Sequence, residues 1–349
     1  MNYLADIAKW PPRTLLAARG LAPGLLLGVL ASLMSIAVTL ALPAVSPLLI
    51  AIVLGALLRN TVPLPASVEP GLAFTSRRLL RLGVVLLGLQ VMLGDIVGLG
   101  VDVILLVVAV VAVGIGAILG IGRMWGVGPS QRLLIACGFS ICGAAAVAAV
   151  EGVLGDDAED HEETATAIAL VVLFGTLMIP LVPLLVGLLG LGEEAGGVLV
   201  GASVHEVAQV VAAGSALGAT ALDLAIVVKL ARVLTLAPVM VLIGLAHRAV
   251  PSADTPSARR LPPLVPLFVV GFVAMMLLRS TGVLSEGALR WGEVAQTALL
   301  TAAMFALGTG IRFGSLLRVG PRPFLLALAG TAVVTAVSVA GVLLLHSGS

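Results

Sequence analysis

Charged residues are scarce in this chain. They make up 11% of its 349 residues, whereas about 25% is usual for soluble domains. Hydrophobic residues make up 60%, and the mean hydropathy is +1.20. A soluble fold of this length has no interior large enough to hide so much apolar sequence. The composition therefore predicts a polytopic membrane protein.

Other absences exclude further classes of protein. The net charge is only +1, which argues against a nucleic-acid partner. Two cysteines, Cys137 and Cys142, are too few for a disulfide framework and are interpreted as small buried residues. No P-loop, zinc-protease motif or recognisable nucleophile–base pair occurs, so we expect neither an enzyme, nor a metal, nor a cofactor. The lack of a soluble domain argues against a sensor.

Long apolar runs fill the chain instead. We count eleven candidate spans, at residues 22–42, 46–58, 78–93, 101–123, 131–153, 165–190, 197–217, 221–248, 263–280, 294–312 and 323–346. The runs are apolar on all sides and lack the two-residue alternation of a transmembrane barrel. The expected fold is an all-α polytopic membrane protein with about eleven transmembrane helices.

Basic residues are distributed unevenly over the loops between these spans. With the N-terminus inside, only Arg279 and Arg290 fall outside, and the other loop arginines are cytoplasmic. The acidic stretch 155–164 falls outside, whereas Glu193 and Glu194 fall inside. The positive-inside rule thus predicts a cytoplasmic N-terminus and an external C-terminus.

A weak internal repeat relates the two halves of the chain. LGALLRN (54–60) resembles VGASVHE (200–206), and RRLLRLGVVLLGL (77–89) resembles VKLARVLTLAPVMVL (228–242). Spans five apart have opposite orientations, which predicts an inverted-topology repeat of the kind found in secondary transporters. The expected domains are an N-terminal segment with an extra helix (1–44), a first five-helix repeat (45–190) and a second (191–349).

Clusters of small residues interrupt two spans at corresponding places in the predicted repeats. They are Gly138, Ser140 and Gly143 in span 131–153, and Gly308, Thr309 and Gly310 in span 294–312. Broken helices expose backbone amides that suit an anion and carbonyls that suit a cation. Close helix packing is the alternative explanation for small residues. The symmetry of the two clusters favours a site made by broken helices.

Two basic residues lie inside an apolar run, at 222–246. Lys229 and Arg232 are three residues apart, so they share one face of a helix. A Lys or Arg at the centre of a bilayer costs about 2.5–3.5 kcal/mol. We therefore expect both to line a polar cavity and to meet an anion or a carboxylate.

The segment 201–214 carries the other polar candidates. It places His205, Glu206 and Gln209 in what the pattern predicts to be one helix, with His205 and Gln209 on a common face. Two interpretations remain open: a proton relay, or an ion pair of Glu206 with Lys229 or Arg232. They are compatible, since a substrate could compete for the same cations.

Four segments resemble the YeiH-type family of bacterial inner-membrane proteins, which is usually labelled as sulfate exporters. They are CGFSICGAAAVAAV, GASVHEVAQVVAAG, KLARVLTLAPVMVL and PGLAFTSRRLLRLGVVLLGLQV, and the resemblance extends from about 45 to 325. The resemblance implies a fold similar to sodium/proton antiporters and bile-acid symporters, with crossed broken helices at the site. One departure is Ala145, where family members commonly carry a serine, which implies a less polar site.

Together these observations predict a secondary transporter of a small sulfate- or sulfite-like anion, coupled to Na⁺ or H⁺. The alternative is a cation/proton antiporter that uses Glu206 as its carrier carboxylate. The expected partners are the anion and the lipid bilayer, with a homodimer suggested by analogy alone. The expected substrate-binding residues are Ser140, Cys142, Gly143, His205, Glu206, Gln209, Lys229, Arg232, Gly308, Thr309 and Gly310.

Overall fold

The structure is a computed structural model that describes residues 13–41, 46–154, 158–249, 267–311, 314 and 320–347. Its helices are α1 (Arg13–Ala41), α2 (Pro47–Thr61), α3 (Glu69–Phe74), α4 (Leu80–Leu87), α5 (Leu93–Gly98), α6 (Gly100–Met124), α7 (Pro129–Ser140), α8 (Ala144–Leu154), α9 (Ala158–Leu188), α10 (Glu193–Ser203), α11 (Val207–Ser215), α12 (Ala219–Leu234), α13 (Leu236–Ala249), α14 (Leu267–Ser280), α15 (Glu286–Gly310) and α16 (Pro321–Ser347). A π-helical turn, Thr75–Leu79, joins α3 to α4, and a short 3-10 turn, Gly88–Gln90, follows α4.

Several of these helices have the length and composition of membrane spans. Five segments of the described chain are long and apolar enough to cross a bilayer, namely Gly20–Ala41, Gly100–Met124, Glu162–Leu188, Ala219–Ala246 and Pro321–Leu345. Shorter apolar helices are Pro47–Thr61, Ala144–Leu154 and Leu267–Ser280. The described chain is thus an all-helical polytopic membrane protein, as its composition predicts.

The first interrupted helix is a re-entrant hairpin. Helix α7 ends at Ser140 and α8 begins at Ala144, so the predicted break near Gly143 is confirmed. The two halves do not continue in one direction. A β-carbon at Gly128, just before α7, would lie 3.1 Å from Oε1 of Glu163, near the start of α9. The chain therefore enters and leaves this hairpin at the same end of the bundle.

A second hairpin enters from the opposite end. Helix α9 is 31 residues long, about 45 Å at 1.5 Å per residue, and carries the chain across the bundle. Helices α10 and α11 then form a pair interrupted at residues 204–206. A β-carbon at Gly218, just before α12, would lie 2.7 Å from Cδ of Glu193 at the start of α10. This hairpin also returns to the end at which it starts.

The predicted spans 131–153 and 197–217 are these two hairpins, so the structure differs from the prediction of eleven crossings. Glu162 lines one cavity together with Arg59 and Arg77, whereas Glu193 lies at the other end of α9. The described part of the acidic stretch 155–164 is thus at the end of the bundle that carries Arg59, not opposite it. Each hairpin replaces one predicted crossing and reverses the predicted side of the chain that follows. After the second hairpin the two reversals cancel, and the remaining loops lie on the sides that were predicted.

At the second cluster, Gly308 and Thr309 stay helical and helix α15 ends at Gly310, followed by Ile311 in an extended conformation. Most of residues 312–319 lie outside the described chain, so a broken helix at this place stays a prediction. A β-carbon at Gly308 would overlap the carbonyl oxygen of Ile52, and one at Gly55 would overlap that of Phe305. The glycines therefore allow the backbones of α2 and α15 to approach closely, which is the packing role that small residues often have in membranes.

The helices pack as two groups with the hairpins in one of them. The scaffold group consists of α1 to α4, α14 and α15, and the hairpin group consists of α6 to α12 and α16. A cation–π contact of Arg81 with Phe268, 5.9 Å from the ring centroid, joins the α4 and α14 regions within the scaffold group. The predicted sequence boundaries at 44 and 190, and the inverted repeat, stay predictions.

Side-specific labelling tests the hairpin arrangement. In a chain with Cys137 and Cys142 changed to alanine, single cysteines are placed at the exposed positions Asn60, Glu162 and Glu194. We expect a membrane-impermeant thiol reagent to reach positions 60 and 162 from one side and position 194 from the other. Eleven complete crossings would instead pair position 194 with 60 and place 162 on the opposite side.

Substitution at the α2–α15 contact tests the packing role of Gly308. We expect Gly308→Val to lower the free energy of unfolding by about 1–3 kcal/mol or more, because its side chain meets the α2 backbone. The measurement is thermal unfolding in detergent. Gly310→Val on the same helix is the matched control, since a β-carbon at Gly310 meets nothing within 4 Å. Equal destabilisation of both variants would contradict this interpretation.

Candidate functional site

The tips of the two hairpins meet on the side chain of Lys229. Its Nζ donates hydrogen bonds to the carbonyl oxygen of Ile141 at 2.9 Å and to that of Val204 at 2.8 Å. Lys229 is 0% exposed. One ammonium group thus joins the ends of α7 and α10, which belong to different hairpins.

Arg232, one turn further along α12, binds the same two tips. Its three guanidinium nitrogens are all donors, at distances between 2.7 and 3.3 Å, and its side chain is fully buried. The acceptors are the carbonyl oxygens of Phe139 and Ser140 in α7 and of Gly201, Ala202 and Val204 at the end of α10. The predicted common face of Lys229 and Arg232 is confirmed.

These contacts explain how a helix end is tolerated inside the bundle. The last carbonyls of a helix have no partner within the helix, and an unpaired polar group in an apolar interior is costly. A cation at a helix C-terminus also interacts favourably with the helix dipole. Lys229 and Arg232 thus stabilise the C-terminal ends of α7 and α10. No carboxylate of the described residues lies within ion-pair distance of either cation.

Glu206 occupies the other pair of helix ends. It is the N-cap residue of α11, where its side chain and that of Gln209 form a reciprocal capping box. The Oε1 atom of Glu206 also accepts a hydrogen bond from the amide of Ala144, the first residue of α8, at 3.0 Å. One carboxylate therefore contacts the N-terminal ends of both returning helices, where the dipole favours negative charge.

Gly143 makes this arrangement of the tip feasible. Its φ is +71°, a conformation that residues with a β-carbon rarely adopt. A β-carbon at this position would also overlap the side chain of Glu206. The glycine that the sequence singles out is therefore required both for the turn between α7 and α8 and for the approach of the carboxylate.

His205 lies in the break between α10 and α11 and is fully buried. Its Nδ1 is 3.1 Å from the carbonyl oxygen of Phe139, and its Nε2 is 3.1 Å from Oγ1 of Thr331 in α16. Because a carbonyl only accepts, we assign the hydrogen to Nδ1. The prediction of one helix over 201–214 is wrong, since His205 separates two helices and does not share a helix with Gln209.

The other predicted site residues divide into two sets. Cys142 and Gln209 lie beside the tips, with Gln209 also donating from Nε2 to the carbonyl oxygen of Val172 at 3.3 Å. Ser140 is buried at the end of α7, and no hydrogen bond reaches its hydroxyl oxygen within the described residues. In contrast, Gly308, Thr309 and Gly310 lie on α15 and not on a hairpin; Gly308 packs against α2, and the hydroxyl of Thr309 donates to the carbonyl of Ala306.

A cavity of about 410 Å³ leads to the tips. It lies between the scaffold group and the hairpin group, and Glu206 and Cys142 form part of its inner surface. Glu293, Gln296 and Gln90 lie on its scaffold side, with a hydrogen bond between the two glutamine side chains. No basic side chain of the described residues lines it. The cavity therefore exposes the carboxylate, while Lys229 and Arg232 lie behind the tip carbonyls.

A second cavity, of about 530 Å³, lies at the end of the bundle that carries Arg59. Its lining includes the ion pairs of Arg59 with Glu69 at 2.7 Å and of Arg77 with Glu151 at 3.4 Å. Both cavities contact helix α8, where Ala145 lines the first and Ala148, three residues later, lines the second. The two cavities thus approach the same hairpin from opposite ends.

The sequence did not point to several of the groups that make this site. The partners of the cations are backbone carbonyls, which no residue type marks. Thr331, which contacts His205, is one of several threonines in an apolar helix and carries no special signal. The capping pair Glu206 and Gln209 was visible as a glutamate followed three residues later by a glutamine, and it could have indicated a helix start at Val207.

Two hairpins whose tips meet on buried cations define a helical membrane protein with an internal polar centre. The chain matches the family described as conserved hypothetical protein 698 over residues 19–327. It therefore belongs to this family, the UPF0324 or YeiH-type membrane proteins, and the resemblance noted in the sequence is confirmed.

Similar proteins occur in several bacteria. A UPF0324 membrane protein of Corynebacterium glutamicum is 50% identical over 326 residues, which cover 93% of each chain. One from Pseudomonas aeruginosa is 39% identical and covers 91% of this chain and 93% of its own. The UPF0324 membrane protein TauZ of Paracoccus pantotrophus is 38% identical, with 85% and 88% covered. No solved structure matches the chain significantly.

Removal of the Arg232 side chain tests its structural role. We expect Arg232→Ala to lower the free energy of unfolding by at least about 2 kcal/mol, because two or more buried carbonyls lose a partner at about 1–3 kcal/mol each. Thermal unfolding in detergent provides the measurement. Arg290→Ala is the control, since Arg290 is largely exposed and its ion pair with Glu286 is long, at 3.9 Å. An unchanged Tm for Arg232→Ala would contradict the role.

Proposed function

We propose that the protein is a secondary transporter of a small inorganic or sulfur-containing anion, sulfate- or sulfite-like in its chemistry. The observation that carries the proposal is the charge at the meeting point of the hairpin tips. Two buried cations, Lys229 and Arg232, and one carboxylate, Glu206, belong to this centre. Together they give it a formal excess of one positive charge when the carboxylate is ionised and His205 is neutral.

The backbone does not cancel this excess. Each helix end contributes about half an elementary charge. The two C-terminal ends of α7 and α10 and the two N-terminal ends of α8 and α11 therefore balance each other. In a low-dielectric interior an excess charge is unfavourable unless a counter-charge is close. A monovalent anion at the inner end of the first cavity would neutralise the centre, and a divalent anion would do so if Glu206 took up a proton.

The first cavity supports access of such an anion. Its inner end is formed by Cys142, Ala145 and the first turn of α11. Its volume of about 410 Å³ corresponds to more than ten water molecules at about 30 Å³ each, so a small oxyanion fits together with part of its hydration shell. Alternating access would follow if the hairpin group moved against the scaffold group and brought the tips to the second cavity.

The distribution of basic residues supports a cytoplasmic N-terminus and an external C-terminus in a bacterial inner membrane. Among the described residues, the end that carries Arg59 also has Arg77, Arg78, Arg123, Arg132 and Arg322, and the opposite end has Arg279 and Arg290. Glu193 and Glu194, which the predicted topology placed inside, are external in this arrangement. A homodimer stays a proposal by analogy.

A cation/proton antiporter is the second candidate. It is favoured by the side chains that line the first cavity, where Glu206 is the charged group nearest the tips and Glu293 is the other carboxylate. In that mechanism the carboxylate of Glu206 would exchange a proton for the cation. The two candidates make opposite predictions for the removal of this charge.

The test is a thermal-shift titration of the purified protein with sulfite, sulfate, thiosulfate, bicarbonate and chloride as N-methylglucamine salts. We expect one oxyanion to stabilise the protein selectively, by about 2.7 kcal/mol at a concentration a hundred times its Kd. Lys229→Ala should lose this response. Glu206→Gln keeps an acceptor oxygen for the amide of Ala144 and removes a negative charge, so the anion should bind more tightly.

The matched control is Glu293→Gln, which changes a carboxylate in the same cavity away from the tips. We expect its effect on anion affinity to be smaller than that of Glu206→Gln. Stabilisation by sodium or protons alone, abolished in Glu206→Gln, would instead support the cation antiporter. Uptake of the stabilising anion into proteoliposomes then separates transport from simple binding.

A further inference from the structure

The C-terminal ends of interrupted membrane helices commonly coordinate a coupling cation in secondary transporters. Unwound carbonyls at such ends face inward and take the place of the ion's water shell. In this chain the corresponding carbonyls are those of Ile141 and Val204, one from each hairpin. Both accept hydrogen bonds from the ammonium group of Lys229, at 2.9 and 2.8 Å.

Lys229 has the properties of a cation held in a coordination site. An ammonium group is a compact positive charge with three donors on a flexible stem. Here it is fully buried, it lies between two chain segments that are not adjacent in sequence, and its Nζ donates to two carbonyl oxygens. These are the ligands that a sodium ion would use at the same place.

The neighbouring groups exclude a second cation. Arg232 donates to the preceding carbonyls of the same two tips, including Ser140 and Ala202 at 2.7 Å. Glu206 contacts the opposite, N-terminal helix ends through Ala144. A sodium ion at the carbonyls would therefore lie beside two fixed positive charges, with no carboxylate of the described residues paired to them.

We infer that Lys229 is a resident cation that takes the place of a coupling sodium ion, so that anion binding and transport by this protein do not depend on sodium. The stabilising effect of a bound cation on the hairpin tips is supplied covalently, by the chain itself. The part of this inference that concerns transport rests on the proposed function, whereas the part that concerns the tips does not.

The first arm of the test measures the Tm of the wild-type protein in detergent while sodium chloride replaces N-methylglucamine chloride at constant ionic strength. We expect no sodium-specific shift. The second arm uses Lys229→Ala, in which the carbonyls of Ile141 and Val204 lose their donor. We expect sodium or ammonium ions to raise the Tm of this variant relative to N-methylglucamine, while Lys229→Met, which fills the space without charge, does not respond.

Lys229→Ser provides the same opening with a small polar side chain if the alanine variant does not fold. A sodium-specific rise in the Tm of the wild-type protein would overturn the inference. So would a small-side-chain variant that no cation stabilises. The third arm measures anion uptake into proteoliposomes with and without sodium. Sodium-dependent uptake would overturn the inference and leave the transporter proposal intact, whereas absence of uptake in both salts would count against the transporter alone.

Discussion

The hydrogen bonds from Lys229 and Arg232 to backbone carbonyls are the interaction on which the rest of the structure depends. Each hairpin ends a helix in the middle of an apolar bundle, where neither water nor a neighbouring strand can satisfy the last carbonyls. Two side chains from one face of α12 satisfy both ends at once. The position of each tip is thereby defined relative to the other, although the hairpins enter from opposite ends of the bundle.

The same arrangement gives the centre its electrical character. The C-terminal helix ends are held by two positive side chains and the N-terminal ends by one negative side chain, so charge of each sign lies where the helix dipoles favour it. Two positive side chains nevertheless face one negative side chain, so the centre has an excess of positive charge. The carboxylate of Glu206 borders a cavity while the cations do not. An anion in this cavity would thus meet the carboxylate of Glu206 first. The backbone of the tips would separate it from Lys229 and Arg232, so it would interact with them electrostatically without direct contact.

Glycine clusters illustrate why part of the site could be predicted and part could not. Gly143 and Gly308 look alike in sequence, since both lie among small residues within an apolar run. Gly143 has a positive φ and ends the turn between α7 and α8, whereas Gly308 stays helical and lets α2 approach. Length is equally ambiguous: α7 and α8 have 12 and 11 residues, which together are long enough for a complete span. The packing of α7 against α8 and the proximity of Gly128 to Glu163 in the folded chain distinguish a hairpin from a crossing.

The sequence by itself determined the membrane class, the helical fold, the break at Gly143 and the residues that matter at the centre, namely Lys229, Arg232, His205 and Glu206. These features follow from composition and from local residue type, because a charge inside an apolar run is costly wherever the chain folds. Tertiary structure alone decided that the cations bind carbonyls rather than a carboxylate, and that two spans return to their starting ends. Every residue carries the same carbonyl group. The partner of a given carbonyl therefore depends on how distant segments pack, and it cannot be predicted from the sequence.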